Sequence, residues 1–127
     1  MIEKNDFERL GGEEPLHALI NDFVDGCFDD MMIGFLFPRN KRARVKKFEY
    51  QHAAEHLGAP VVYEGRSLQK AHGAHRIMGG QFDRRLTILK NTLGAHGVPD
   101  DIAGRWTAYH ESMRALITGD AKGECTP

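Results

Sequence analysis

The residues best suited to chemistry lie in Leu68-Gln-Lys-Ala-His72-Gly-Ala-His75-Arg-Ile77-Met-Gly-Gly-Gln-Phe82. The stretch reads as a histidine on a short helical turn, a glycine-containing break, and a new helix opening with Phe82. Ser67 can cap the segment that carries His72. An imidazole held this way, against helices with apolar faces, can grip a haem iron from one side. Its other ring nitrogen then needs an acceptor, commonly a backbone carbonyl. The alternative for His72 is a core or capping histidine, and His75 is a second candidate ligand. A second set lies upstream, where Glu49, His52 and His56 share a helical stripe with Val45, Phe48, Ala53 and Leu57. A buried charge is costly unless paired or neutralised. This face therefore lines a polar pocket or reaches its rim. Glu49 has three readings: protonated and donating to a ligand, paired with His52, or at the solvent edge.

The elements that must position these groups follow from apolar periodicity. Asp6 to Leu10 is a short helix stopped by Gly11-Gly12. Glu13 and Glu14 suit the positive end of a helix dipole, and Pro15 suits the first helical position. Leu16, Leu19, Ile20, Phe23, Val24, Cys27 and Phe28 then recur at helical spacing. Met31 to Pro38 is a tight corner expected to bury Phe37 with Phe35 or Leu36. Arg39 to Leu57 is a third helix, closed by Gly58 and Pro60. Phe82, Leu86, Leu89 and Leu93 mark a fourth, ending at His96-Gly97. Ile102, Trp106, Tyr109, Met113 and Leu116 or Ile117 mark the last. His17, His96 and His110 read as surface or helix-end residues. Nothing alternates like a strand, so the chain is all-α.

The totals suit one domain. The chain has 127 residues, 41% hydrophobic and 28% charged, with a formal net charge of -1. That charge gives no general pull toward nucleic acid or a membrane surface. The basic run Lys41-Arg-Ala-Arg44-Val-Lys46-Lys47 reads as a solvated helix face. Cys27 reads as a core thiol, and Cys125 lies in a polar tail. No signal peptide pattern and no run of about 18 apolar residues is present, so a cytoplasmic location is expected.

This order of residues resembles a truncated haemoglobin, most closely of group I, over roughly Phe7 to Ile117. Phe7-Glu-Arg-Leu-Gly11-Gly12 looks like the family's first glycine motif. Asn21-Asp-Phe23 with Asp29-Asp30 looks like its second helix. Phe37 falls at its haem-stacking phenylalanine. Leu57-Gly58-Ala59-Pro60 with Tyr63-Glu-Gly65 looks like the second glycine motif, with Ala59 where glycine is frequent. Lys70-Ala-His72 occupies the proximal site, followed by Ile77 and Phe82. Groups II and III carry a tryptophan in the penultimate helix; here the one tryptophan, Trp106, is in the last.

The resemblance implies a two-over-two helical sandwich around haem b, with a globin domain over residues 1–118 and a loose tail over 119–127. It implies His72 as proximal iron ligand. Phe37, Val45, Phe48, Leu68, Ile77 and Phe82 become pocket walls, and Val24, Glu49 and His52 become the distal side. Arg39, Lys41, Arg44 and Arg76 are candidate propionate partners. Two distal positions depart from the family: Val24 stands where tyrosine is common and Glu49 where glutamine is usual. Valine cannot donate a hydrogen bond, and an ionised carboxylate can only accept. The expected function is reversible binding of O2, CO or NO for scavenging, detoxification or sensing, with oxygen transport in the same class. Alternatives are NO dioxygenase or peroxidase-like turnover, with Glu49 and His52 handling protons, and a bis-histidyl redox globin with His52 as sixth ligand. A reductase partner and a monomer or dimer fit these readings. A zinc-binding helical protein is the alternative outside the family.

Overall fold

The computed structural model describes residues 3–65 and 77–118. All regular structure among them is helical: α1 (Asp6–Arg9), α2 (Glu13–Phe28), α3 (Arg42–Leu57), α4 (Gly79–Ala95), α5 (Asp100–Ser112) and α6 (Arg114–Thr118). Two 3-10 turns, Gly34–Leu36 and Arg39–Lys41, link α2 to α3. Helix α2 packs against α3 and α4; α4 also packs against α5 and α6. None of these helices is long and apolar enough to cross a membrane. The segment with Leu68, His72, His75 and Arg76, and the tail from residue 119, lie outside the described residues.

Local chemistry sets the helix ends. Asn5 and Glu8 form a reciprocal capping box, with the Glu8 amide donating to Asn5 Oδ1 at 2.8 Å and the Asn5 amide to Glu8 Oε1 at 3.0 Å. Asn5 Nδ2 also donates to the Gly58 carbonyl at 2.9 Å, tying the chain start to the end of α3. Gly58 has a φ of 102°, and the Ala59 amide reaches back to the Ala54 carbonyl at 2.9 Å. This is a Schellman stop, for which glycine has no steric penalty. Gly34 is fixed by space: a Cβ there would lie 2.5 Å from the Phe28 carbonyl oxygen.

Acid–base pairs then brace the helices. Asp30 accepts from the Met32 and Ile33 amides at 2.9 and 3.1 Å and from Arg84 Nε and Nη2 at 2.9 and 2.8 Å, joining the corner to α4. The Arg84 bond, with the two amides, holds the Asp30 carboxyl below its usual range. Arg105 and Arg9 share Asp6 and Asp101, joining α1 to α5.

Several sequence expectations need correction. Helix α2 begins at Glu13, so Pro15 is its third residue; its missing N–H still falls in the first turn, where amides lack helical partners. Arg39–Lys41 is a 3-10 turn rather than the start of α3. Of the two alternatives at the corner, Leu36 is the one that packs on the core beside Phe37, and Phe35 points outward, 73% exposed. The last helical pattern is broken at Met113 into α5 and α6. Its inner residue there is Ile117; Leu116 is exposed. The basic run is not simply solvated. Arg42 bonds Asp25 and Asp29 at 3.0 and 2.9 Å, and Lys46 approaches Asp25 at 2.9 Å, so both clamp α3 to α2.

Candidate functional site

Helix α3 presents the polar stripe, and four helices meet on it. Arg85 reaches in from α4. Its Nη2 donates to both Glu49 carboxylate oxygens at 2.9 Å. Its guanidinium carbon lies 4.9 Å from the centre of the Phe23 ring of α2. Its Nη1 lies 3.0 Å from Nδ1 of His110 on α5. Arginine has no acceptor, so His110 Nδ1 accepts this bond. Neutral His110 therefore carries its proton on Nε2.

A ring cluster adjoins this ion pair. His52 is buried, and its Nε2 lies 3.0 Å from the Tyr109 hydroxyl. The Tyr63 ring meets His52 edge-on at 5.3 Å, and the His110 ring does so at 6.4 Å. His56 stacks on Tyr109 at 4.2 Å, nearly parallel. Burial pushes the His52 imidazole below its ordinary value; Glu49 opposes this and Arg85 adds to it. His110 is lowered further, first by burial and then by the Arg85 charge. Burial also lowers His56 and raises the Tyr109 phenol. These imidazoles are held neutral, as hydrogen-bonding groups rather than charges. Cys27, in the core behind them, is pushed up by burial to about 12 and stays a thiol.

The expected site residues separate into three kinds. Val24 and Phe82 are almost fully buried, and the Arg114 guanidinium covers Phe82 at 4.6 Å. Phe37, Val45, Phe48 and Ile77 are half-buried. Phe37 stacks on Phe28 at 5.0 Å, and Phe48 meets Tyr63 edge-on at 6.1 Å. Leu68 and His72 lie outside the described residues. Glu49 meets Arg85, and Arg85 rather than His52 is its ion-pair partner. Arg39 and Lys41 are exposed in the turn before α3 and Arg44 in its first turn; Arg44 and Lys47 lie 5.3 and 5.6 Å from the Phe48 ring centre.

A flat apolar group with an acidic edge fits these residues. Phe37, Val45, Phe48 and Ile77 keep apolar surface that the helices leave half-covered, and cations stand near Phe48. The described residues contain no group of three or more His, Cys, Asp or Glu side chains that could hold a metal ion.

His110 is a correction. It lies in the last turn of α5, one of its two expected places, but it is buried and not at the surface. Its spacing after Ile102 and Trp106, at i+4 and i+8, placed it on the inward face. Arg85 was likewise missed. It lies three residues after Phe82, at the edge of the α4 stripe. There its aliphatic stem can lie along the apolar face while its head reaches inward.

The model of the family described as bacterial-like globin matches residues 5–118. No curated protein matches the chain. Among solved structures, the fold is similar to the truncated haemoglobin of Tetrahymena pyriformis in its Fe(III) form (24% identity, TM-score 0.80, 90% of this chain and 97% of that one). It is similar to the 2/2 haemoglobin of Synechococcus sp. PCC 7002 (18%, 0.81, 91% and 99%). It is also similar to the group II truncated haemoglobin of Bacillus anthracis (18%, 0.84, 98% and 99%). The all-α architecture is thus that of the truncated, two-over-two globins, and the similar structures include a group II member. With its model matching almost the whole length of the protein, the chain belongs to the bacterial-like globin family.

Proposed function

We propose that this globin holds haem b on His72 and reversibly binds a diatomic gas, O2, CO or NO, for scavenging, detoxification or sensing. One observation carries this reading: a globin-family chain leaves Phe37, Val45, Phe48 and Ile77 half-buried and holds Glu49 in an ion pair with Arg85. The bound haem would supply an iron able to take a small gas as ligand. Phe37, Val45, Phe48, Leu68, Ile77 and Phe82 would wall the group and exclude water, and Arg39, Lys41, Arg44 or Arg76 would pair with its propionates. Glu49 and His52 would lie on the distal side, with Val24 contributing only bulk. Trp106 lies in residues 100–118, the last helix of the sequence pattern, before its break at Met113, and α4 carries no tryptophan, which supports a group I reading.

His52 serves as a distal polar group rather than a sixth ligand in this reading. Its Nε2 is engaged with Tyr109 at 3.0 Å, and coordination through that atom would break the bond. The test is the ferrous absorption spectrum of wild type beside His72→Ala and His52→Ala after haem addition. Wild type and His52→Ala should take up haem with the same iron coordination, and His72→Ala should lose haem. Unchanged haem uptake and colour in His72→Ala would overturn the assignment. A six-coordinate wild type that His52→Ala converts to five-coordinate would instead make the protein bis-histidyl.

A further inference from the structure

We propose that Arg85 is the ligand-selecting donor of this site and that it favours small anions over neutral ligands. The inference rests on the haem reading above and concerns a residue outside the family resemblance drawn from the sequence. Of the three residues placed on the distal side, Val24 has no polar atom, and Glu49, paired as a carboxylate, can only accept. His52 is held neutral and is engaged with Tyr109. Arg85 supplies what these lack: a permanent positive charge and donors with no acceptor capacity.

Its position is fixed from several sides. Glu49 of α3, His110 of α5 and the Phe23 ring of α2 all contact the guanidinium. Arg85 thus touches one of the three distal positions directly, Glu49, and packs on the ring that precedes Val24 in the chain. Its side chain is 19% exposed, so its charge is only partly screened by water. Nε–H and the second N–H of Nη1 have no acceptor among the described residues. A guanidinium held in this way can donate to an anion without first being ordered. Glu49 restrains the same charge, so the pair is a tuned anion donor rather than a bare cation. His110 keeps the guanidinium oriented by accepting from Nη1, and its neutral state adds no second charge.

The chemical class follows from charge. A ligand bearing negative charge, such as azide or nitrite, gains from Arg85 and is opposed by Glu49. Carbon monoxide, which is neutral and a poor acceptor, gains little from either. Removing Arg85 and removing the Glu49 charge should therefore act in opposite directions on an anion. A purely structural pair would weaken binding of every ligand in both variants.

The test measures azide affinity of the ferric protein and carbon monoxide affinity of the ferrous protein, in haem-loaded wild type, Arg85→Leu and Glu49→Gln. Arg85→Leu should weaken azide by about tenfold or more, the value of one charge-assisted hydrogen bond. Its carbon monoxide affinity should stay near wild type. Glu49→Gln should tighten azide by about fivefold, the effect of lifting one partly screened repulsion. If Arg85→Leu does not fold, Glu49→Leu is compared with Arg85→Leu/Glu49→Leu, since neither leaves a carboxylate unpaired. The double variant should then bind azide about tenfold more weakly than Glu49→Leu. An azide-to-carbon-monoxide ratio unaffected by loss of Arg85 overturns this inference while leaving the globin reading intact. A wild-type chain that takes up no haem overturns both.

Discussion

Helices α2 and α3 have the same length but treat their inward stripes differently. All seven stripe residues of α2, from Leu16 to Phe28, are buried. On α3 only His52, Ala53 and Leu57 of the expected stripe are buried; Val45, Phe48, Glu49 and His56 remain half-covered. Tyr50 and Ala54 are buried instead, so α3 turns part of another face inward. The first helix is scaffold, since its apolar surface is satisfied by its neighbours. The second is site, since its polar groups depend on partners from α4 and α5 and its apolar groups keep surface to offer.

The largest effect should come from the scaffold. Leu16→Ala, at a fully buried position, should lose about 2–5 kcal/mol of stability by urea denaturation, against less than about 1 kcal/mol for Val45→Ala before haem is added. Equal losses would erase the distinction between the helices. Next, Arg85→Ala should destabilise by about 1–3 kcal/mol, because it strands the partly buried Glu49 carboxylate and the His110 acceptor. A neutral result would mean that solvent replaces both contacts.

The ring cluster predicts a pH signature. His52 and His110 have imidazoles lowered from the usual 6.5. The unfolded chain therefore binds protons that the folded chain refuses. Stability from these groups is complete above about 6.5 and falls as the pH drops below it, by up to about 1.4 kcal/mol per pH unit for each histidine. His110→Phe should flatten the curve between about pH 6.5 and 5. The Arg9 and Arg105 bonds that lower the Asp101 carboxyl contribute stability that is fully present above the carboxylate range and is lost only as the pH falls through and below it, so the windows separate. A curve of unchanged slope in His110→Phe would show that this histidine is not held neutral by the fold. The smallest effect is expected from Tyr109→Phe, about 0.5–1.5 kcal/mol for the hydroxyl bond to His52.

Much of the scaffold was legible because helical periodicity reports burial directly. Every expected inward residue of α2 is buried, as are Phe82, Leu86, Leu89 and Leu93 on α4. Glycine pairs and acidic first turns marked the breaks for local reasons that need no tertiary contact. The resemblance found the family from scattered motifs in one order. Polar partnerships were not legible. Glu49 has His52 one turn away in sequence, yet its ion-pair partner is Arg85, thirty-six residues on.

The sequence by itself determined that the chain is helical, where its apolar faces lie and that a globin arrangement is encoded, because spacing along one helix is a local property. Only the tertiary structure decided that Arg85 meets Glu49, that His110 is buried, and that Tyr109 engages His52. Long polar side chains choose partners across helices by reach and direction, which are set once the helices have packed.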